Sequence, residues 1–203
     1  MSRPRRFREV TGFVLAGGAS RRMGTDKACL HLGPERLVDR QIRLLRAVCR
    51  TVAIIGPCAK LGGTGVEVYE DAIPGRGPLG GIHAGLERVR SEFSLFLGCD
   101  MPLMEARFLL YLCEQALETT ALVTVPPPWT GGRYPLCMVL RRCALARLVS
   151  CLESGQNQVS QFFLHLPRRL ITRAEFAGAG FSARIFRNLN TPEEYERVRQ
   201  QWV

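Results

Sequence analysis

The chain has no Cys-x-x-Cys pair and no His-x-x-x-His, although it carries eight cysteines at positions 29, 49, 58, 99, 113, 137, 143 and 151. Those absences exclude a zinc ribbon and a dithiol redox pair, and the cysteines read as reduced, mostly buried small hydrophobes. No apolar run approaches the ~20 residues of a membrane span. The apolar stretch that follows the basic segment from Ser2 to Glu9 breaks at Gly17-Gly18, so it reads as a strand rather than a signal-peptide core. The expectation is a cytoplasmic protein. Lysine is nearly missing: Lys27 and Lys60 stand against 26 arginines. The net charge is +10, yet no basic stripe interleaved with aromatics is present, which argues against nucleic acid as a partner. A positive field also favours polyanionic small molecules. Repeats, low-complexity tracts and long linkers are absent. At 203 residues the chain is expected to form a single domain over 1–203, with 1–9 as a basic, flexible arm.

What is present alternates. Apolar strands are expected at Val10 to Leu15, Thr51 to Ile55, Val66 to Tyr69, Phe93 to Leu97 and Ala121 to Val125. Helical spacing falls at Leu37 to Val48, Gly80 to Val89 and Phe108 to Leu117. That order implies an α/β fold, a mostly parallel sheet with helices on both faces. The pattern then changes. Tyr134 to Leu140 reads as a strand and Ala144 to Glu153 as a helix. Leu170 to Thr172 and Arg184 to Arg187 read as short strands. A last helix starts with Thr191 as N-cap, Pro192 at its first position and Glu194 closing a capping box.

Four clusters carry chemistry. Leu15-Ala16-Gly17-Gly18 ends the first strand, and Arg22, Gly24 and Lys27 follow. Glycine backbone can approach a polyphosphate closely, and cations neutralise it. The spacing is not that of a Walker A loop, because Thr25 and Asp26 separate Gly24 from Lys27. Gly75-Arg76-Gly77-Pro78-Leu79-Gly80 formally matches the dinucleotide fingerprint. However, Glu70 to Pro74 separate it from its strand and Pro78 falls inside the turn, so a loop closing over a base or ribose fits better. Asp100 ends a buried strand, where a carboxylate is placed to hold Mg²⁺ shared with phosphate oxygens. Asn188 and Asn190 alternate before the last helix and would face one side in an extended segment.

Taken in order, these clusters resemble the molybdenum cofactor guanylyltransferases, a family of nucleotidyltransferases with a Rossmann-like fold. The resemblance rests on Leu15-Ala16-Gly17-Gly18 with Arg22-Met23-Gly24 and Asp26-Lys27, on Glu70-Asp71 before Gly77-Pro78-Leu79-Gly80-Gly81, on Cys99-Asp100-Met101-Pro102, and on Asn188 to Glu193. It covers nearly the whole chain and implies a three-layer sandwich with at least one antiparallel strand in the C-terminal part. It also implies transfer of GMP from GTP to molybdenum-bearing molybdopterin, with Mg²⁺ as cofactor and pyrophosphate as second product. Lys27, Arg22 and Asp100 would be catalytic, and Asp100 would bind the metal. Leu15, Ala16, Gly17, Gly18, Lys27, Asp71, Pro78, Leu79, Gly80 and Asp100 would bind nucleotide, and Asn188 and Asn190 the acceptor. Implied protein partners are transient: a molybdenum insertion protein, and apo-molybdoenzymes or their chaperones. No nucleic acid or membrane is implied. The sequence departs from the family at Gly56-Pro57, where an Asn is frequent. Sibling transferases using CTP or another acceptor share parts of the pattern, and Gly17-Gly18 favours a purine. An NAD(P)-binding oxidoreductase is the more distant alternative.

Overall fold

The computed structural model describes residues 7–17, 27–71, 73, 75–129 and 134–200. Its centre is β1 (Phe7–Leu15), paired in parallel with β4 (Cys49–Ile55) on one side and β6 (Phe93–Gly98) on the other. β5 (Glu67–Tyr69) extends the first edge in parallel with β4. Beyond β6 the direction reverses. β8 (Cys137–Arg141) runs antiparallel to β6 and to β7 (Val123–Val125), and β9 (Arg168–Leu170) lies parallel to β7. The seven-stranded order is therefore β5-β4-β1-β6-β8-β7-β9. A small hairpin of β2 (His31–Leu32) and β3 (Glu35–Arg36) stands apart.

Side chains alternate across the sheet, and both faces are buried. From β1 and β6, Val10, Val14, Leu95 and Leu97 enter one core, which α1 (Leu37–Val48) and α3 (Ala106–Leu117) cover. Phe13, Leu15 and Phe96 enter the other, beneath α2 (Pro78–Arg88), α4 (Leu145–Glu153) and α5 (Val159–Leu164). Two apolar faces on one strand require helices on both sides, which makes the three layers. The rings of Phe13 and Phe96 stack at 5.1 Å between centroids within the second core. A third, smaller core joins Leu32 and Leu37 to Leu189 and Val198, and so docks α7 (Pro192–Arg199) beside the hairpin. No helix among the described residues is long and apolar enough to cross a membrane.

The structure departs from the sequence reading in several places: β9 covers Arg168–Leu170 rather than Leu170 to Thr172, and α5 was not expected. The first strand begins at Phe7, which is buried and pairs with Cys49, so 7–9 are not part of a flexible arm. Residues 1–6 lie outside the described residues. Arg184 to Arg187 is not a strand: Ala183–Phe186 is a 3-10 turn that buries Ile185 and Phe186. Last, α6 (Arg173–Gly178) was not expected, although Thr172 and Glu175 form a complete capping box at its start.

Candidate active site

In a mostly parallel sheet, ligands gather outside the carboxyl ends of the strands. Here β1, β4, β5 and β6 end together. Ala16 N donates to Ile55 O at 2.8 Å, Gly56 N to Tyr69 O at 2.9 Å, and Cys99 N to Leu15 O at 3.1 Å. These bonds continue the ladder one residue past the strands, so Gly17, Glu70 and Asp100 emerge at one edge. A cleft of about 550 Å³ opens there, a volume suited to a nucleoside-sized ligand. Leu15, Gly17, Ile55, Gly56, Asp71 and Pro78 help line it.

Close packing sets the shape of the cleft. A Cβ on Gly56 would lie 2.9 Å from Leu61 Cδ1 and 3.1 Å from the carbonyl carbon of Ala16. A larger residue there would require the Leu61 side chain to move and the Ala16 backbone to give by a few tenths of an ångström. A Cβ on Gly80 would fall 2.4 Å from Asp71 Oδ2. The Asp71 carboxylate thus lies against the first turn of α2, where the helix dipole favours negative charge, and its Oδ1 accepts from Ile73 N at 2.9 Å. Pro78, Leu79 and Gly80 form that first turn, with Pro78 at its opening position and Leu79 buried in the core rather than facing the cleft.

The second half of the site is a charged cluster. Lys27 Nζ donates to Asn190 Oδ1 at 2.9 Å and lies 3.7 Å from Asp100 Oδ2. Burial pushes the Asp100 carboxyl up from its ordinary value, and the Lys27 ammonium pulls it back. The loop after Asp100 is held from α1: Gln41 Nε2 donates to Met101 O at 2.8 Å and Arg40 Nε to Pro102 O at 2.6 Å. From the C-terminal side, Leu189 N donates to Asp100 O at 2.9 Å. Asn190 N in turn donates to Glu194 Oε2 at 2.7 Å, which ties Lys27 to the cap of α7.

The structure thus brings Leu15, Gly17, Asp71 and Pro78 to one cleft, leaves Ala16 and Gly80 buried rather than lining it, and brings Lys27, Asp100 and Asn190 to one cluster. Asn188 does not join its neighbour: its Oδ1 is buried without a partner among the described residues. Gly18 and Arg22 lie outside the described residues. Glu70 and Leu136 line the cleft without having been singled out as site residues. Leu136 arrives because β8 runs back beside β6, and Gly98 N donates to Leu136 O at 2.7 Å. No local motif signals that return.

A cleft and a lysine–aspartate pair at the carboxyl edge of such a sheet define an α/β protein of the nucleotidyltransferase class. The sequence profile of the MobA-like NTP transferase domain matches residues 12–170, and the chain belongs to that family. It is 30% identical over 191 residues to a molybdenum cofactor guanylyltransferase of Syntrophotalea carbinolica, covering 93% of this chain and 90% of the relative. It is 32% identical over 202 residues to a probable molybdenum cofactor guanylyltransferase of Natronomonas pharaonis, covering 95% and 98%. Molybdopterin-guanine dinucleotide biosynthesis protein A from Archaeoglobus fulgidus has a similar fold. Its TM-score is 0.79 at 19% identity, over 94% of this chain and 97% of that one.

Proposed function

We propose that this enzyme transfers GMP from GTP to the terminal phosphate of molybdopterin carrying molybdenum, in the cytoplasm, and releases pyrophosphate. The observation that carries the reading is the Lys27–Asp100–Asn190 cluster at the strand ends beside a nucleoside-sized cleft. The names of the curated relatives support the same reaction.

The acceptor is a phosphate, anionic at neutral pH, and so needs no general base. One of its oxygens attacks the α-phosphorus, the bond from that phosphorus to the bridging oxygen breaks, and pyrophosphate leaves with the electron pair. What remains for the protein is alignment and charge stabilisation. Lys27 would hold phosphate, with Arg22 as a second cation. Leu15, Ala16 and Gly17 would present backbone to the nucleotide, and Asp71 would hold the nucleoside side. Asn188 and Asn190 would hold the acceptor through their side-chain amide N–H groups.

The donor set fits magnesium. No group of three metal-ligating side chains exists among the described residues, and Mg²⁺ shared with phosphates uses only one or two carboxylates. Asp100 already draws a cation, the Lys27 ammonium. Asp100 would hold the ion, whose chemistry there is to neutralise phosphate charge.

Calorimetric titration with GTP, CTP, ATP and NAD, with and without Mg²⁺, tests the assignment. GTP is expected to bind tightest, and at full strength only with the metal. Preference for CTP would remove the guanylyl label, and metal-independent binding of NAD would return an oxidoreductase.

A further inference from the structure

We propose that Glu70 reads the base: its carboxylate accepts from the ring N1–H and the 2-amino group of guanine, and so sets the preference for a guanine nucleotide. The proposal rests on the nucleotidyl-transfer reading above and names the residue that selects the substrate.

Among the described residues lining the cleft, only Glu70 and Asp71 carry a polar side chain; the rest are glycine, proline, leucine and isoleucine. A carboxylate can only accept hydrogen bonds, so this wall recognises a base through the base's own donors. Guanine alone among the common bases places two donors side by side on its pairing edge. Adenine and cytosine present an amino group beside a ring-nitrogen lone pair, which a carboxylate repels. Uracil offers a single N–H.

The two carboxylates are not equivalent. Asp71 is turned onto the first turn of α2, where it lies against Gly80 and accepts from Ile73 N. Glu70 follows β5 directly, is exposed, and has the longer side chain. Its Oε1 accepts from Cys58 N at 3.2 Å, and the Cys58 thiol also hydrogen-bonds the carboxylate. Those contacts orient the carboxylate, and an ionised carboxylate, with about four lone-pair sites, keeps acceptor capacity for a base. Beside Glu70, Pro57 offers no N–H and Gly56 no side chain, while Leu15, Ile55 and Leu136 give the cleft an apolar surface for a ring face.

Inosine triphosphate differs from GTP only in lacking the 2-amino group, so the ratio of the two affinities isolates that contact. With Mg²⁺ present, the wild-type chain is expected to bind GTP roughly 10- to 100-fold tighter than ITP, the worth of one charge-assisted hydrogen bond. In Glu70→Ala the ratio is expected to fall to within about threefold. Glu70→Gln, which keeps the acceptor for Cys58 N, is expected to lower it with an unchanged unfolding midpoint and guards against a misfolded alanine variant. A wild-type ratio near one, or an unchanged ratio in folded Glu70→Gln, overturns the role of Glu70 while leaving GTP as the substrate. Failure of the wild-type chain to bind GTP where it binds CTP overturns the guanylyl reading itself.

Discussion

Asp100 and Gly77 show two different ways in which one residue matters. Asp100 supplies charge. Its backbone carbonyl is held by Leu189 N, so the loop does not depend on the side chain alone. Asp100→Asn is therefore expected to keep the fold and lower transfer at least about a hundredfold, as loss of a transition-state charge partner does. Circular dichroism checks the first half and a pyrophosphate-release assay the second; full activity would overturn the metal role proposed for Asp100. Gly77 supplies backbone shape. It caps α2 with φ 57° and ψ −146°, a region that side chains avoid. Gly77→Ala is expected to cost about 1–3 kcal/mol by denaturant unfolding. Gly62→Ala, at ordinary φ and with nothing within 4 Å, is expected to be neutral or slightly stabilising.

At the scale of elements, the two capped C-terminal helices give contrasting tests. In α7 the cap serves the site. Glu194 Oε2 accepts from Asn190 N at 2.7 Å and from Thr191 N at 3.1 Å, and Asn190 holds Lys27. Glu194→Ala is expected to slow transfer about fivefold through a displaced lysine, the worth of a typical cap. Glu194→Gln, whose amide oxygen can also close the box, should restore the rate. In α6 the cap serves stability only. The Arg169 guanidinium, then the Thr172 backbone N–H, hold Glu175 well below its ordinary value of 4.5, at about 2. A depressed folded-state value means that stability is present above the ordinary value and is lost as pH falls toward 2. Glu175→Gln is expected to destabilise by no more than about 1 kcal/mol at neutral pH, because solvent screens the pair, Glu175 being 39% exposed. Urea titrations at successively lower pH should show that difference shrinking; a constant difference would assign the effect to packing. Both capping boxes are four-residue patterns in the sequence, yet only the one starting at Thr191 was expected, because Pro192 marks it and nothing comparable marks Thr172.

For the whole molecule, the net charge of +10 would favour the polyanionic ligands proposed for the site. GTP association is expected to weaken as ionic strength rises from about 0.05 M to 0.5 M, in stopped-flow rates more than in dissociation rates. The overall architecture was legible in the alternation of apolar runs and helical spacing. α1 spans the same residues, Leu37–Val48, that its periodicity indicates, and the core strands lie within a few residues of their apolar runs. The misreadings come where local pattern is weak. Phe7 joins β1 because it is buried against the start of β4 rather than because of its basic neighbours, and Ile185 and Phe186 are buried from a 3-10 turn as effectively as from a strand. What the sequence by itself determined is therefore the local chemistry: a glycine-rich strand end, an aspartate after a buried strand, a capped last helix. Only the tertiary structure decided which of these meet. Lys27 and Asn190 are 163 residues apart and bond at 2.9 Å because the C-terminal segment buries Leu189, and Val198 of α7, against Leu32 and Leu37. Leu136 reaches the cleft because β8 reverses direction beside β6. Such meetings follow from burial summed over distant apolar faces, which no short stretch of sequence contains.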